Sequence, residues 1–458
     1  MIVLQEKNMT DKNRQLQGKN LVVGLGKTGL SVVRFLSESG ASVAVNDSRD
    51  LPPGLEELKN HYPDVARFTG NFNQAAFDSA DRLIVNPGIS IKQTMIAKAA
   101  LAGKEIIGDI ELFARFADKP VIAITGSNGK TTVTTLVGQM AADAGLSVGV
   151  GGNIGTPALD LLDQGHDLYV LELSSFQLET TESLKPVAAV VLNISEDHMD
   201  RYKDIDDYLQ AKLKIYAHAL NGVINLDDPC LSDNLVDMPM TGFSVDASAN
   251  DGYGLIKFGN DIWIAKGQEK LLKAKDMKIA GKHNLANAMA ALALGDAAGL
   301  PMGSMLQTIK SFPGLPHRTQ FVGTKDGVDF YNDSKATNVG AMLAALDGLA
   351  DQTPAKTIVI LGGDCKQADF SGIATSIRTH CRAVVLMGRD ATDIEQHLPE
   401  DMLVQKAASL KEAVQQAFAI AQSGDRVLLS PACASFDMFK GFEDRGNQFI
   451  QCVQEICQ

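Results

Sequence analysis

A glycine-rich stretch in the middle of the chain carries residue types that bind phosphate. The sequence AITGSNGKTTVTT at 123–135 contains Gly126, followed by Lys130 and Thr131. A lysine in this place can reach terminal phosphate oxygens, and the hydroxyl of the next threonine can bind Mg²⁺. The common phosphate-binding loop has a glycine at the position of Ile124, and here the glycine comes two residues later. The stretch therefore predicts a nucleotide site with an altered spacing.

Polar side chains follow two further apolar strands of the same segment. The strand in LYVLELSSFQLE ends at Glu172, and NISEDHMDRY, which contains His198, follows another apolar strand. Because the carboxyl ends of parallel strands meet at one edge of a sheet, we expect both side chains near the phosphate loop, where a metal ligand belongs. From the residues alone, Glu172 can instead be a surface carboxylate and His198 a structural histidine. Lys212, in YLQAKLKIY, is interpreted as a solvent-facing helix lysine.

A second glycine turn lies near the N-terminus. The sequence GLGKTG places Gly24, Gly26 and Gly29 between a predicted strand and helix, and Asp47 ends the next strand. Such a turn lets a helix N-terminus face a diphosphate, while the acidic residue binds a ribose. By itself the turn is also compatible with a nicotinamide-dependent oxidoreductase or with no ligand at all, but the later segments supply no acid and base for hydride transfer.

The composition limits the partners and the location. The net charge of −13 argues against nucleic acid, because phosphate backbones require a dense basic face. The sequence has neither a signal-peptide pattern nor an apolar run long enough to span a bilayer, so we expect a cytoplasmic protein. The six cysteines have no metal-binding spacing and are expected to be reduced thiols.

Strand-like and helix-like patterns alternate along the 458 residues, which predicts the α/β class with parallel sheets. Clusters of Pro and Gly divide the chain into predicted domains at 1–108, 109–314 and 315–458, with 1–17 as an extension outside the fold. The first and third domains are predicted to be Rossmann-like. The second is predicted as a phosphate-loop ATPase domain with a small antiparallel patch between 241 and 273.

Together these motifs resemble the ATP-dependent Mur ligases. The resemblance is carried by GSNGKTT, GGNIG, LELSSFQLE, NISEDHMDRY, GKHN, LPHR, NDSKATN, LGGD and SPACASFDMFKGFEDRG, spread from Gly18 to the C-terminus. Mur ligases and folylpolyglutamate synthetases share a shortened loop of the form GxxGK[ST], which accounts for the glycine at 126. Within the family the resemblance is strongest to members that join D-glutamate to UDP-N-acetylmuramoyl-L-alanine; a sister Mur ligase or a folylpolyglutamate synthetase is the alternative.

The resemblance implies an ATP-dependent amide ligase of peptidoglycan precursor synthesis that acts as a monomer on small molecules. The L-alanine carboxylate would attack the γ-phosphate of ATP, and the amine of D-glutamate would displace phosphate through a tetrahedral intermediate. Both steps bring anions together, so ATP is expected with Mg²⁺, two ions in this family, and with fixed cations. A hinge is expected at 314–317, because such ligases close on their substrates.

The resemblance also assigns residues of the central and C-terminal segments to catalysis, ATP and metal. The implied catalytic residues are Lys130, Asn153, His198 and Lys212. The implied ATP-binding residues are Gly126, Ser127, Asn128, Gly129, Lys130, Thr131, Thr132, Asn284, Asn287, Arg318 and Asp333. The implied metal ligands are Thr131, Glu172, His198 and Lys212, the last as a carbamate, which turns a cation into a carboxylate-like anion.

Two further sets follow from the same resemblance. The implied UDP-sugar site consists of Lys27, Thr28, Asp47, Ser48, Arg49, Gly88, Asn153, Ser174, Gln177 and Lys335. The implied D-glutamate site consists of Thr337, Lys366, Ser435 and Phe442. Lys27 and Phe436 depart from the residue types common in the family, which leaves the uracil and D-glutamate pockets open. Cys433 is expected to be a small packed residue, since the reaction needs no covalent enzyme intermediate.

Overall fold

The computed structural model describes residues 16–234, 237–247, 252–279, 281–350, 355–365 and 368–457. Three α/β units follow one another, each built on its own sheet, which confirms the predicted fold class. Residues 1–15 of the predicted extension, and Lys366, lie outside the described residues. Within the described part of the chain, no helix combines the length and the apolar character needed to cross a membrane.

The N-terminal unit is a five-stranded parallel sheet in the order β3-β2-β1-β4-β5. Its strands are β1 (Lys19–Val23), β2 (Ser42–Asn46), β3 (Ala66–Phe68), β4 (Arg82–Val85) and β5 (Glu105–Ile107). Its helices are α1 (Lys27–Glu38), α2 (Leu55–His61), α3 (Gln74–Ser79) and α4 (Thr94–Leu101). The strand order reverses between β1 and β4, and ligands of open α/β sheets bind outside the carboxyl ends of the strands at such a point.

The GLGKTG turn leads from β1 into α1 at this reversal point. Gly24 has a φ of +99°, a conformation that favours glycine. A Cβ on Gly29 would lie 2.1 Å from the carbonyl oxygen of Gly24, so no larger residue fits. The glycine spacing seen in the sequence is therefore required by close approach of the helix to the end of the strand.

The central unit is a nine-stranded sheet in the order β14-β13-β12-β11-β10-β9-β6-β8-β7. Its strands are β6 (Val121–Thr125), β7 (Val148–Gly152), β8 (Leu168–Glu172), β9 (Ala188–Val191), β10 (Gly222–Asn225), β11 (Met240–Phe243), β12 (Tyr253–Phe258), β13 (Asp261–Lys266) and β14 (Glu269–Lys273). Its helices, with α5 leading in from the N-terminal unit, are α5 (Asp109–Phe116), α6 (Lys130–Asp143), α7 (Ser175–Glu179), α8 (Ile205–Leu213), α9 (Pro229–Ser232), α10 (Lys282–Ala297) and α11 (Met302–Ser311). Short 3-10 turns occupy Ala158–Leu161, Lys214–Tyr216 and Ala274–Asp276.

The predicted antiparallel patch is present in β12, β13 and β14, which pair antiparallel in sequence order. It is shorter than predicted, because β11 pairs parallel with both β10 and β12. On one face of the central sheet, α10 packs against α6 through a run of small and apolar residues in ALALG. This packing brings the first turn of α10 next to the phosphate loop that begins α6.

The C-terminal unit is a six-stranded sheet in the order β15-β16-β20-β17-β18-β19, with β15 antiparallel to β16 and the other pairs parallel. Its strands are β15 (Gln320–Lys325), β16 (Val328–Asn332), β17 (Thr357–Gly362), β18 (Cys381–Met387), β19 (Leu403–Lys406) and β20 (Arg426–Leu429). Its helices are α12 (Val339–Ala350), α13 (Ala374–His380), α14 (Ala391–Glu395), α15 (Leu410–Ile420) and α16 (Phe442–Cys457).

Cys365 and Cys433 form a disulfide, so the expectation that all six cysteines are thiols is wrong for this pair. The two residues follow the carboxyl ends of β17 and β20, which are neighbours in the sheet. An isolated bridge between Asp364 and Ala434 brings the two loops together. The two cysteines lie 68 residues apart in the sequence, and nothing in the sequence indicated that they would pair. Cys433 is fully buried, as expected for a packed residue.

Arg445 of α16 is fully buried and joins two loops of the C-terminal unit. Its guanidinium donates to the hydroxyl and the carbonyl oxygen of Ser334 at 3.0 and 2.8 Å, and to the carbonyl oxygen of Cys433 at 3.1 Å. Burial lowers the pKa of Arg445 to about 10, so the group is a cation at neutral pH. Neutral oxygens hold this cation, and they lose their donor if the side chain is removed.

We predict that Arg445→Ala destabilises the C-terminal unit by about 3 kcal/mol, because it leaves buried acceptors unpaired and a cavity behind. Urea unfolding of the full chain should show a transition at clearly lower denaturant. Arg378→Ala is the matched control, since the Arg378 side chain is 62% exposed; a loss of stability in the control as large as in Arg445→Ala would contradict the assignment.

Candidate functional site

The phosphate loop connects β6 to α6 at the centre of the central sheet. Gly126 and Gly129 have φ of +151° and +82°. A Cβ on Gly126 would lie 2.9 Å from the Cβ of Leu192, and a Cβ on Gly129 would lie 2.5 Å from the amide oxygen of Asn287. Glycine is thus required where the chain leaves the strand and where α10 meets the loop. The positions of the two glycines in the sequence therefore match the two places where the loop passes closest to Leu192 and Asn287.

Lys130 lies inside the loop with its amine held by the loop itself. Its Nζ donates to the carbonyl oxygens of Gly126 and Ser127 at 2.8 and 2.9 Å. Burial lowers the pKa of Lys130, and the charges of Glu172 and Asp197 oppose that change. The amine therefore lies against the phosphate loop, where a lysine that binds terminal phosphate oxygens is expected.

The segment after β9 holds the phosphate loop in place through hydrogen bonds. The backbone N–H of Ser127 donates to the carbonyl oxygen of Asn193 at 2.9 Å, and the N–H of Asn128 donates to the Asn193 side chain at 2.8 Å. Ser127 and Ser195 also exchange hydrogen bonds through the Ser127 hydroxyl, at 2.9 Å each. The sequence prediction missed Asn193 and Ser195, although both lie in the NISEDH motif that marked His198.

A cavity of about 570 Å³ lies in front of this loop, between the central and C-terminal units. The predicted residues that line it are Ser127, Asn128, Gly129, Lys130, Thr131, Thr132, Asn153, Glu172, His198, Asn284, Asn287, Arg318, Asp333, Lys335 and Thr337. Asp197, the neighbour of His198 in NISEDHMDRY, also lines the cavity. Lining residues that the prediction missed include Asn193, Ser195, Asn225, Phe243, His283 and Asn338. One space therefore unites the predicted ATP residues other than Gly126, the predicted metal ligands other than Lys212, and residues of the C-terminal unit.

Glu172 is 1% exposed, which rules out the alternative of a surface carboxylate. Its Oε1 accepts a hydrogen bond from the Asn153 side chain at 2.8 Å. Its Oε2 is buried and has no hydrogen-bond partner among the described residues. An unpartnered buried carboxylate oxygen is costly unless a cation binds it, so this oxygen fits a divalent metal ligand.

His198 lines the same cavity from the loop between β9 and α8. Its φ of +58° is uncommon for a residue with a side chain. The N–H groups of Arg201 and Tyr202 donate to its carbonyl oxygen at 2.9 and 3.2 Å and hold this turn. The described residues contain no group of three or more His, Cys, Asp or Glu that could hold a metal by themselves. Hydroxyl ligands such as Thr131 and substrate oxygens would have to complete the coordination.

Lys212 is 1% exposed, so its interpretation as a solvent-facing lysine is wrong. Its face of α8 packs against the end of β6, where Nζ donates to the carbonyl oxygen of Gly126 at 3.0 Å. The ring of Tyr208 lies 4.5 Å from the amine. Burial, and then the charge of Lys130, lower the pKa of Lys212 well below its usual value. Burial of this kind favours the neutral, nucleophilic form of the amine.

The C-terminal unit contributes charged groups to the cavity. Asp333 accepts from the Thr319 N–H at 2.9 Å and from the Ser430 hydroxyl at 2.8 Å, and burial raises its pKa to about 6. Burial, and then Arg318, lower the pKa of Lys335 to about 8. The Lys335 amine lies 3.9 Å from the centre of the Phe442 ring. Predicted ATP, UDP-sugar and D-glutamate residues thus meet here.

One hydrogen bond joins this unit directly to the phosphate loop. The side chain of Asn338, at the start of α12, donates to the side-chain oxygen of Asn128 at 3.2 Å. His283 of α10 lies close to Gly348 of α12, since a Cβ on that glycine would be 2.8 Å from the imidazole. Burial lowers the pKa of His283 to about 4, so the imidazole is neutral at this contact. The cavity is thereby closed on the side of α12.

The UDP-sugar residues predicted in the N-terminal unit lie outside the cavity, at the carboxyl edge of the first sheet. Asp47 is buried, accepts from the Leu25 N–H at 2.7 Å, and binds the Arg49 side chain at 2.6 and 2.9 Å. The pKa of Asp47 is lowered, because these hydrogen bonds outweigh its burial. Lys27 donates to the carbonyl oxygen of Gly155 in the central unit at 2.6 Å. Thr28, Ser48 and Gly88 complete this group at the same edge.

Ser174 is the N-cap of α7, and Gln177 lies in the first turn of this helix. They form a reciprocal capping arrangement in which each side chain binds the backbone N–H of the other. The amide of Gln177 also donates to Asp109 at 3.0 Å. Burial raises the pKa of Asp109 to about 6. The positions of both predicted substrate contacts are therefore fixed by the end of β8.

The predicted D-glutamate residues are partly brought together. Thr337 lines the cavity, Ser435 is buried after β20, and Phe442 begins α16. Lys366 lies outside the described residues, so its role stays a prediction. Phe436 is 72% exposed, so its ring lies mostly in solvent.

Comparison with known proteins confirms the resemblance to the Mur ligases. Family models match three successive parts of the chain: the MurD-like N-terminal domain of Mur ligases at 18–108, the Mur ligase middle domain at 124–295, and the glutamate ligase domain of Mur ligases at 317–433. These ranges contain the glycine turn, the phosphate loop and the C-terminal loops described above.

Similar proteins match the chain over nearly its whole length. The UDP-N-acetylmuramoylalanine--D-glutamate ligase of Marinobacter nauticus is 54% identical over 439 residues, 96% of this chain and 98% of that protein. The enzyme of the same name from Nitrosococcus oceani is 50% identical over 445 residues, again 96% and 98%. The solved structure of UDP-N-acetylmuramate-alanine ligase from Thermotoga maritima shares the fold, with a TM-score of 0.61 at 19% identity over 96% of this chain and 100% of that chain. The chain therefore belongs to the Mur ligase family.

Proposed function

We propose that this protein joins D-glutamate to UDP-N-acetylmuramoyl-L-alanine, with ATP converted to ADP and phosphate, in peptidoglycan precursor synthesis. The observation that carries the proposal is the shared cavity, where the phosphate loop, a buried carboxylate oxygen and cations of the C-terminal unit face one another. Relatives that bear the name of this activity are 50 and 54% identical over nearly the whole chain, which supports the choice of substrates.

The cavity supplies the conditions for activating a carboxylate. The substrate carboxylate attacks the γ-phosphate of ATP, ADP leaves, and an acyl phosphate results. Lys130 on the loop, with Arg318 and Lys335 from the C-terminal unit, offsets the negative charge that these groups bring together. The closed side of the cavity along α12 limits water, which would otherwise hydrolyse the acyl phosphate.

Amide formation follows in the same space. The amine of D-glutamate attacks the acyl carbon, and the tetrahedral intermediate expels phosphate. The residues proposed for D-glutamate are Thr337, Lys366, Ser435 and Phe442. A lysine and a hydroxyl can bind the side-chain and main-chain carboxylates of this amino acid, which leaves the amine free to react.

Magnesium fits the donor set at the loop. Thr131, Glu172 and His198 would hold it, together with Lys212 as a carbamate, and two ions are expected. When bound, the metal neutralises phosphate oxygens and the developing charge of phosphoryl transfer. The low pKa of Lys212 supports carbamylation, because only an uncharged amine adds carbon dioxide.

The three units take separate tasks in this proposal. The domain at 1–108 binds the UDP end, the domain at 109–314 binds ATP, and the domain at 315–458 binds the incoming amino acid. We further propose a cytoplasmic monomer that uses free small-molecule substrates, consistent with the net charge of −13.

The first prediction concerns substrate dependence. Phosphate release should require ATP, Mg²⁺, UDP-N-acetylmuramoyl-L-alanine and D-glutamate together, because the amine must trap the acyl phosphate. A coupled phosphate assay with each component left out in turn measures this. Equal rates with L-glutamate, or without the UDP-sugar, would refute the proposed activity, and NADH absorbance at 340 nm should stay constant.

The second prediction concerns Lys212. Lys212→Ala should lose activity by about a hundredfold, and acetate should restore part of it by placing a carboxylate in the vacated space. Steady-state rates at increasing acetate measure the effect. Lys203→Ala is the control, since its side chain is 86% exposed and should tolerate the change. Full activity of Lys212→Ala without acetate would contradict the carbamate assignment.

The third prediction concerns pH. Because the pKa of Lys335 is about 8, its amine is a cation below pH 8 and loses that charge above it. Binding of the anionic UDP-substrate should therefore weaken about tenfold between pH 7 and pH 9. Calorimetry without D-glutamate measures it and avoids titration of the amino acid. Lys335→Arg should remove most of this dependence; an unchanged pH profile in that variant would show that another group is responsible.

A further inference from the structure

The segment between β9 and α8, residues 192–204, is called here the histidine loop because it carries His198. It has no helix or strand of its own, and the positive φ of His198 has to be held by surrounding contacts. Its first part binds the phosphate loop through Asn193 and Ser195. In its second part, Arg201 links the loop to two other elements.

Arg201 connects the histidine loop to two other elements. Its NH1 donates to the carbonyl oxygen of Pro87 at 2.7 Å, and its NH2 contacts that of Ile89 at 3.5 Å. These carbonyls flank Gly88, a residue of the proposed UDP-sugar site. NH2 also donates to Glu179 at the end of α7, at 2.7 Å. The two side chains are 12 and 13% exposed, so this ion pair is little screened by water.

An aromatic ring links the same guanidinium to His198. The Arg201 guanidinium lies 3.8 Å from the centre of the Phe176 ring. That ring lies 4.8 Å from the imidazole of His198 and stacks on Tyr202. Phe176 belongs to α7, one residue before Gln177. A change in the position of Arg201 is therefore transmitted to His198 by packing as well as through the backbone.

We propose that Arg201 is a positioning residue that couples the UDP-sugar loop around Gly88 to the placement of His198 in the phosphate cavity. Arg201 is not among the residues that line the phosphate cavity. The inference rests on the proposed function, because it gives His198 a metal-binding role and Gly88 a substrate role. It adds that one side chain, Arg201, links substrate binding on the N-terminal unit to metal binding on the central unit.

Arg201→Ala tests this coupling. The half-saturating Mg²⁺ concentration and the KM for UDP-N-acetylmuramoyl-L-alanine should each rise about tenfold, while the KM for D-glutamate stays within about twofold. The dissociation constant of the UDP-substrate, measured by calorimetry without metal, should also rise. This last measurement reports the effect on the Gly88 loop independently of turnover.

Arg34→Ala is the matched control. Arg34 also joins the N-terminal and central units, since it binds Asp160 at 2.9 Å and Glu57 at 3.1 Å, but it contacts neither loop. Its removal should leave the Mg²⁺ requirement unchanged. If Arg34→Ala raises the Mg²⁺ requirement as much as Arg201→Ala, the effect comes from loosening of the two units and the proposal is overturned.

Two conservative variants keep the test decisive if Arg201→Ala does not fold. Arg201→Lys keeps a cation near Glu179 but loses the planar fork that reaches the carbonyls, and Glu179→Gln removes the charge of the partner. Each should shift the Mg²⁺ requirement by about threefold in the same direction. No shift in either variant overturns the proposal. Wild-type protein that lacks D-glutamate-dependent phosphate release would refute the proposed function instead, before any variant is compared.

Discussion

Burial of lysine amines is the constraint on which the site depends. Lys130 and Lys335 line the cavity and Lys212 lies behind the phosphate loop, and burial lowers the pKa of all three. Desolvated amines are unfavourable unless anions reach them, and in the described residues the nearby carboxylates are few. The fold tolerates this arrangement because loop carbonyls accept from the amines of Lys130 and Lys212, while the amine of Lys335 lies against the Phe442 ring. Phosphate oxygens can replace those carbonyls as acceptors. Because the buried amines are poorly solvated, they then bind polyanionic ligands strongly.

This constraint explains why the cavity is shared between units. Glycines at 126 and 129 let the loop approach β9 and α10 closely, and a side chain at either position would collide with Leu192 or Asn287. The additional cations come from the C-terminal unit, and the hydrogen bond between Asn338 and Asn128 sets their distance from the loop. A unit that moves as a body can bring its charges to the triphosphate after ATP has bound, which is the logic of closure on substrate.

Much of the fold and of the site was predictable, because it depends on local patterns. Apolar strands followed by glycine turns placed the sheets, and the rule that parallel strands end at one edge brought Glu172 and His198 to the loop. Features that arise from tertiary packing were not predictable. The burial of Lys212 depends on which face of α8 meets β6, and the Cys365–Cys433 pair depends on β17 and β20 being neighbours. Asn193 and Ser195 act through hydrogen bonds whose partners are far away in sequence.

The activation chemistry depends on features that local sequence patterns predict, whereas the choice of substrates depends on features that they do not predict. A loop that binds phosphate, a carboxylate oxygen open to a metal and cations on a second unit are sufficient for transfer of a phosphoryl group to a carboxylate. They do not select D-glutamate, and in the proposed function that choice falls to Lys366 and Ser435, which follow β17 and β20 in the sequence. The disulfide joins the loops after β17 and β20, and Arg445 ties the loop after β20, at Cys433, to Ser334 in the loop after β16. When a rigid scaffold supports the loops, their residues can change without loss of the fold. A fold with one activation chemistry can then accept different amino acids.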